Sequence, residues 1–163
     1  MQGLDGRSRG RLGAPTSLPL AKLASLAAHA EAGVKYFSGT ATYTKTINAP
    51  REWFRPGAAT LLDLGRVGDI AEISINGRAL GQLWKSPYRL DVTTALQHGE
   101  NKIEIKVTNQ WTNRIAGDRA APADQKILAP APPGRGGGGG FGGAATALPY
   151  SGLIGPVRIL SRQ

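Results

Sequence analysis

Two stretches of the chain carry side chains suited to holding a ligand. The first is Trp84, Lys85, Tyr88 and Arg89; the second is Trp111, Asn113, Arg114 and Asp118. A pyranose offers a flat patch of C–H groups, which an aromatic face can cover, and a fringe of hydroxyls. Asn, Asp and Arg meet such hydroxyls with several donors or acceptors in fixed geometry. Both stretches combine these types, so the chemistry they suggest is sugar binding.

Each stretch also has a plainer explanation. Trp84 can equally plug one end of a β-sandwich, with Pro87 only shaping the turn, and Tyr88 leans towards packing on the core. Arg114 and Asp118 can form a surface ion pair of little energetic consequence. "WTNRIAGD" is mostly polar and follows the end of a strand pattern. That favours a functional surface at Trp111, Asn113 and Arg114, either for sugar or for a neighbouring domain. Trp53 and Phe54, flanked by Arg51 and Arg55, read as a loop packed on a sheet edge.

Catalysis by the chain alone is not expected. Glycoside hydrolysis needs two carboxyl groups flanking one bond. Among Asp63, Asp69, Glu72, Asp91, Glu100, Glu104, Asp118 and Asp124, no pair stands out. Glu72 and Glu104 fall on solvated strand faces, Asp91 suits a turn or cap, and Asp69 begins a strand. His29 and His98 have no motif around them, so a Ser-His-Asp triad is unsupported. The lack of cysteine excludes thiolate metal sites, and with only two histidines a histidine-rich site is not expected. A structural Ca²⁺ would draw on Asp63, Asp69 or Asp118, but no loop has dense oxygen-ligand spacing. No cofactor and no metal are expected, a structural calcium being the one left open.

The elements that must position these residues read as short strands. "YFSGTATYTKTI" has the Thr and aromatic content of a half-buried strand, and "AATLLDLG" reads as a buried one. "DIAEISI" places Ala71, Ile73 and Ile75 on one face. Asn76-Gly77 predicts a type I′ hairpin turn that pairs Ile75 with Arg78 and Ile73 with Leu80. Arg78 then lies at the rim of the apolar face. "YRLDVT" forms a further strand, and "KIEIKVTN" turns Ile103, Ile105 and Val107 inward. "GPVRILS" closes the domain. Short strands separated by turns indicate an all-β antiparallel sandwich.

Residues 1–31 form an N-terminal tail, mobile over 1–17 and with a short helix over 18–30 that Gly33 ends. Residues 32–163 form the β-sandwich. Regular structure is expected to stop between Trp111 and Tyr150. The Gly/Pro-rich "APAPPGRGGGGGFGGAATALP" predicts a disordered loop over 130–147, centred on 134–143. It lacks the strand-then-helix context and the Lys-Ser/Thr of a phosphate loop. The net charge is +9, but the arginines are dispersed, so the charge serves solubility first and attraction of an acidic glycan second. No nucleic-acid motif is present, and no apolar run is long enough for a bilayer, so neither nucleic acid nor membrane is expected as a partner. The start of the chain has no signal peptide and reads as part of a longer reading frame.

Four stretches, "GVKYFSGTATYTKT", "LDLGRVGDIAEISINGRALGQLWKSPYRLDVT", "LQHGENKIEIKVTNQWTNRIAGD" and "SGLIGPVRIL", resemble the C-terminal β-sandwich of family 106 glycoside hydrolases, the α-L-rhamnosidases. They are similar, more loosely, to the sugar-binding jelly-roll domain of family 2 glycoside hydrolases. The resemblance implies a galactose-binding-like jelly roll that sits beside a catalytic (β/α)-barrel in a parent chain. The catalytic carboxylates of such enzymes lie in the barrel, so none is carried onto this chain. The implied function is a non-catalytic carbohydrate-binding module for oligo- or polysaccharide. The alternative is a structural domain that packs on the barrel and has no glycan site. Secretion or a periplasmic location is expected by analogy. The Gly-rich run departs from the resemblance, where more ordered, aromatic-containing sequence is usual.

Overall fold

The computed structural model describes residues 14–126 and 147–162. Among the described residues, nine strands carry the fold: β1 Thr40–Ala49, β2 Ala59–Asp63, β3 Arg66–Gly68, β4 Ile70–Ile75, β5 Arg78–Leu83, β6 Arg89–Asp91, β7 Gly99–Thr108, β8 Gly152–Gly155 and β9 Arg158–Arg162. They form a four-stranded sheet in the order β1-β7-β4-β5, a three-stranded sheet β6-β2-β9 and a two-stranded ribbon β3-β8. All the ladders are antiparallel. The expected all-β class is what the chain adopts.

Alternation of apolar and polar residues sets the core. On β7, Ile103, Ile105 and Val107 are buried while Lys102 and Lys106 are exposed. Ala41 and Tyr43 of β1 and Ala71, Ile73 and Ile75 of β4 share the same inner face, and Leu62 of β2 meets them from the second sheet. Each fully buried Ile or Leu contributes about 1.5–3 kcal/mol relative to exposure. The Tyr43 hydroxyl accepts a hydrogen bond from Leu153 N at 3.1 Å inside this core. Burial pushes the phenol pKa up, partly offset by that bond.

The Asn76-Gly77 turn has φ of 53° and 80°, the positive values of a type I′ turn. Ile75 pairs with Arg78 as expected, but Ile73 pairs with Gly81 and not with Leu80. Leu80 is the extra residue of a β-bulge, which lets its side chain pack on the core. Gly81 beside it takes φ 137°, a conformation that a side chain would strain. Arg78 is exposed and its Nη1 reaches Thr94 O at 3.4 Å.

Three expectations are corrected. No helix runs over 18–30: this stretch holds only a 3₁₀ turn, Leu26–Ala28, and Gly33 lies inside a short helix, α1 (Ala32–Lys35), which it does not follow. Leu18, Leu20 and Leu23 instead pack on the sandwich from an irregular chain, and Leu26 N bonds Ser151 O at 3.0 Å. Tertiary packing outweighs a helix too short to hold itself. The first strand starts at Thr40, because Tyr36 caps α1 and Phe37 turns into the core. Regular structure also continues past Trp111, as helix α2, Thr112–Ala120. The Gly-rich disorder assigned to 130–147 falls on residues outside those described, apart from Ala147.

Candidate functional site

The two stretches singled out in the sequence emerge at the same end of the four-stranded sheet. Thr108, the last residue of β7, pairs with Thr40 at the start of β1 and with Ile70 at the start of β4. Leu83, the last residue of β5, pairs with Ala71 beside them. Trp84 therefore leaves β5, and Asn109 to Trp111 leave β7, over one edge of the molecule. The Arg51–Trp53 turn, with Phe54 exposed, lies beyond Ala49 at the opposite end.

Asp69 ties the two stretches together. Its backbone N–H donates to Thr108 O at 3.1 Å, and its carbonyl accepts from the Tyr88 hydroxyl at 2.8 Å. Its carboxylate Oδ2 accepts from Gln110 N at 3.2 Å, one residue before the N-cap of α2. Burial, with Tyr150 and Asp69 nearby, pushes the Tyr88 phenol pKa up. Tyr88 also packs against the core. It is a brace, with its ring and hydroxyl both committed within the fold.

The tryptophans behave differently. Trp84 is 68% exposed and Trp111 is 66% exposed. The core-plug explanation for Trp84 is thereby overturned: its ring faces solvent, with Lys85 Nζ 5.2 Å from its centroid. That approach is a cation–π contact. Trp111 is the N-cap residue of α2, so its backbone is held while its side chain remains free of the core. Tyr150, 49% exposed, carries the Arg66 guanidinium 4.6 Å above its ring centroid.

Asn113 and Asp118 lie inside the protein, on the buried side of α2. Asn113 Nδ2 donates to Pro149 O at 3.0 Å, which joins the helix to the segment leading into β8. Arg114 is half-buried. With Asp118 only 4% exposed, an Arg114–Asp118 pair on the open surface is ruled out. Asp69, Asn109, Gln110, Thr112, Asn113 and Ser151 bound a small cleft of about 40 Å³, with Pro149 and Tyr150 on its remaining side. Asn109 secures its rear wall by donating from Nδ2 to Phe37 O at 2.7 Å and accepting at Oδ1 from Gly39 N at 2.8 Å.

Asp69, Tyr150, Ser151 and Arg66 were not among the sequence-derived site residues. Tyr150 sits at the re-entry from the Gly/Pro-rich stretch, where "LPYSG" was the available signal. Asp69 stood out only as the residue opening a strand and as one of three conceivable calcium ligands. Among the described residues, no group of three or more His, Asp or Glu clusters as a metal site.

Exposed indoles where β5 and β7 end, an exposed tyrosine, and the cations beside Trp84 and Tyr150 are groups that can cover apolar C–H faces and satisfy hydroxyls. The comparisons with known proteins agree with the fold. The family model for the glycosyl hydrolase 2 galactose-binding domain-like domain matches residues 25–135. The solved rhamnosidase from Novosphingobium sp. PP1Y is 41% identical with a TM-score of 0.81, over 99% of this chain and 14% of that one. A provisionally named beta-glucuronidase of Formosa agariphila is 48% identical over 103 residues, 63% of this chain and 9% of its own. The beta-glucuronidase of Bifidobacterium dentium is 27% identical with a TM-score of 0.50, over 58% of this chain and 15% of that one. The chain thus spans a small part of each of these proteins. The resemblance read from the sequence to the β-domains of rhamnosidases and family 2 hydrolases is borne out. The chain belongs to the glycosyl hydrolase 2 galactose-binding domain-like family.

Proposed function

We propose that this chain is a non-catalytic carbohydrate-binding domain that works beside the catalytic domain of a rhamnosidase-like glycoside hydrolase. The observation that carries the reading is the exposure of Trp84 and Trp111 on the edge where β5 and β7 end. Exposing two indoles to water is unfavourable unless something covers them. A pyranose face does so without requiring a deep pocket. Lys85 and the half-buried Arg114 supply donors at the rim of that surface. The acidic residues support a binding role over a catalytic one. Glu104 pairs with Lys106 at 3.6 Å, and Glu72 lies opposite Lys106 across the sheet.

A second reading has its own observation. An apolar groove of about 330 Å³ lies between the sheets, lined by Leu20, Leu23, Ile47, Ile103 and Val157 among others. A domain that packs on a catalytic barrel would use such a surface, and a glycan would not.

Tryptophan fluorescence during titration with rhamnose-containing and other neutral oligosaccharides, at low and high salt, tests the first reading. A saturable, salt-tolerant change is expected, weakened about tenfold in Trp111→Ala. Because Trp111 is exposed, that variant should keep its stability within about 0.5 kcal/mol. No response to any glycan would overturn the carbohydrate reading in favour of the packing domain. Binding abolished by salt would indicate charge attraction alone.

A further inference from the structure

Two polar atoms at the candidate site are left without partners by the fold. Asn113 Oδ1 and Ser151 Oγ are both buried and make no hydrogen bond, in residues that are each 2% exposed. Both residues line the cleft of about 40 Å³, with Asp69 and Gln110 on its other walls. The Asn113 amide has its orientation fixed by chemistry. The Pro149 carbonyl can only accept, so the nitrogen faces it and the oxygen is turned away. At Ser151 the backbone is fully engaged: its N–H donates to Ser25 Oγ and its carbonyl accepts from Leu26 N, both at 3.0 Å. Only the hydroxyl is left over. Buried polar atoms without partners are costly, and two of them in residues that line one cleft point to a guest that answers both.

We propose that this cleft receives a single hydroxyl group of a neutral sugar, which donates to Asn113 Oδ1 and accepts from Ser151 Oγ. The proposal rests on the carbohydrate reading above and gives it a specificity. Size is the first argument. The cleft exceeds the roughly 10–15 Å³ that one water-sized group needs, yet cannot admit a pyranose ring. One hydroxyl enters, and the ring stays outside near Trp111 and Tyr150.

Donor chemistry is the second argument. Asn113 Oδ1 can only accept, so the guest must bring an O–H. Charge is the third. Asp69 lines the cleft, and its carboxylate already meets the positive N-terminal end of α2 through Gln110 N. A sugar carboxylate there would face Asp69 and the Asn113 carbonyl oxygen, with Ser151 the only side-chain donor among the two orphaned groups. Uronic acid carboxylates are disfavoured at this point even though the whole chain carries a net charge of +9.

The test uses the full ¹⁵N-labelled chain, titrated with methyl α-rhamnopyranoside, methyl glucuronide and calcium chloride. NMR would follow the Asn113 side-chain amide, the Ser151 backbone amide and the indole N–H groups. Ser151→Ala keeps both backbone bonds and deletes only the orphan hydroxyl. The neutral glycoside is expected to shift the Asn113 and Ser151 signals saturably together with the indoles, and to bind about five- to tenfold more weakly to Ser151→Ala. The glucuronide should bind at least about tenfold more weakly than the neutral sugar.

Indole shifts without Asn113 or Ser151 shifts, and unchanged affinity in Ser151→Ala, would overturn the hydroxyl site and leave the carbohydrate reading standing. Equal binding of the glucuronide through the cleft signals would overturn the selectivity for neutral sugars. Shifts of Asn113 and Ser151 with calcium and with neither sugar would overturn the assignment in favour of a cation. Silence at every signal would overturn both the site and the carbohydrate reading. The wild-type side-chain signals decide the matter even if the variant folds poorly.

Discussion

Asn101→Ala is expected to cost about 3–4 kcal/mol of folding stability. Asn101 is wholly buried, at 0% exposure, on β7, and its amide uses every face. Nδ2 donates to Gln97 O at 2.7 Å and to Gly99 O at 2.9 Å. Oδ1 accepts from Gln97 N at 2.9 Å and from Asn76 Nδ2 at 3.0 Å. Asn76 in turn accepts from Lys102 N at 2.9 Å, so one amide locks both the loop before β7 and the turn between β4 and β5. Each of the four bonds contributes about 1 kcal/mol net, and truncation removes all four at once. Asn76 and Gln97 are exposed and recover water once freed, which keeps the total within that sum. The loss would be a large share of the roughly 5–15 kcal/mol that holds a domain together. Urea unfolding followed by tryptophan fluorescence measures it, with an unchanged m-value showing that the unfolded state is comparable. A loss below about 1 kcal/mol would refute the reasoning, because it would mean that water or a local shift replaces all four bonds.

Two further outcomes follow from the same structure. Asp63 accepts from Gly65 N at 2.9 Å and from Arg89 Nε at 2.8 Å, and these bonds, the Gly65 one foremost, hold its pKa below the usual carboxylate value. A depressed carboxylate stabilises the fold above its unfolded pKa of about 4, and that stabilisation fades as pH falls through the lower folded value. Urea midpoints should therefore drop from about pH 5 downward, and less steeply in Asp63→Asn; identical acid profiles would contradict the assignment. In α2, Gly117→Ala should destabilise by about 1–3 kcal/mol although Ala is the better helix former. The new Cβ would stand 2.5 Å from Tyr36 Cγ and 2.7 Å from Tyr36 Cβ, atoms too close to the backbone to swing aside. In a Tyr36→Ala background the same change should become neutral or stabilising, and a double-mutant cycle without coupling would contradict this.

Strand identity was legible because alternation is a short-range signal. "KIEIKVTN" and "DIAEISI" state their inner faces residue by residue, and Asn76-Gly77 states its turn. What alternation does not encode is a one-residue slip. The bulge at Leu80 depends on whether that side chain finds space in the core, and only the neighbouring strands decide that. The segment 18–30 fails for a related reason. Its leucines read equally well as a helix face or as an extended chain lying on a groove, and the bond from Leu26 N to Ser151 O, formed with a residue far along the chain, selects the second.

The candidate site shows where residue type stops being informative. Asn113 and Asp118 were chosen because planar polar groups suit sugar hydroxyls, but α2 turns both inward. α2 carries almost no apolar periodicity in "TNRIAGDRA", so nothing local announces a helix. It is held from outside its own sequence: by Asn113 on Pro149, 36 residues later, by Asp69 on Gln110, 41 residues earlier, and by the close seat of Gly117 against Tyr36. Once the helix is placed, the roles separate by burial. Exposed Trp84 and Trp111 can meet a partner, and Tyr88 braces the fold. Asn113 lines the cleft and keeps one oxygen unsatisfied, so the residue picked for sugar contact retains that capacity at a single atom only. Its environment was set by Ser151 and Asp69, which no spacing rule connects to it, and this is why the chemistry of the site could be read from composition while its geometry could not.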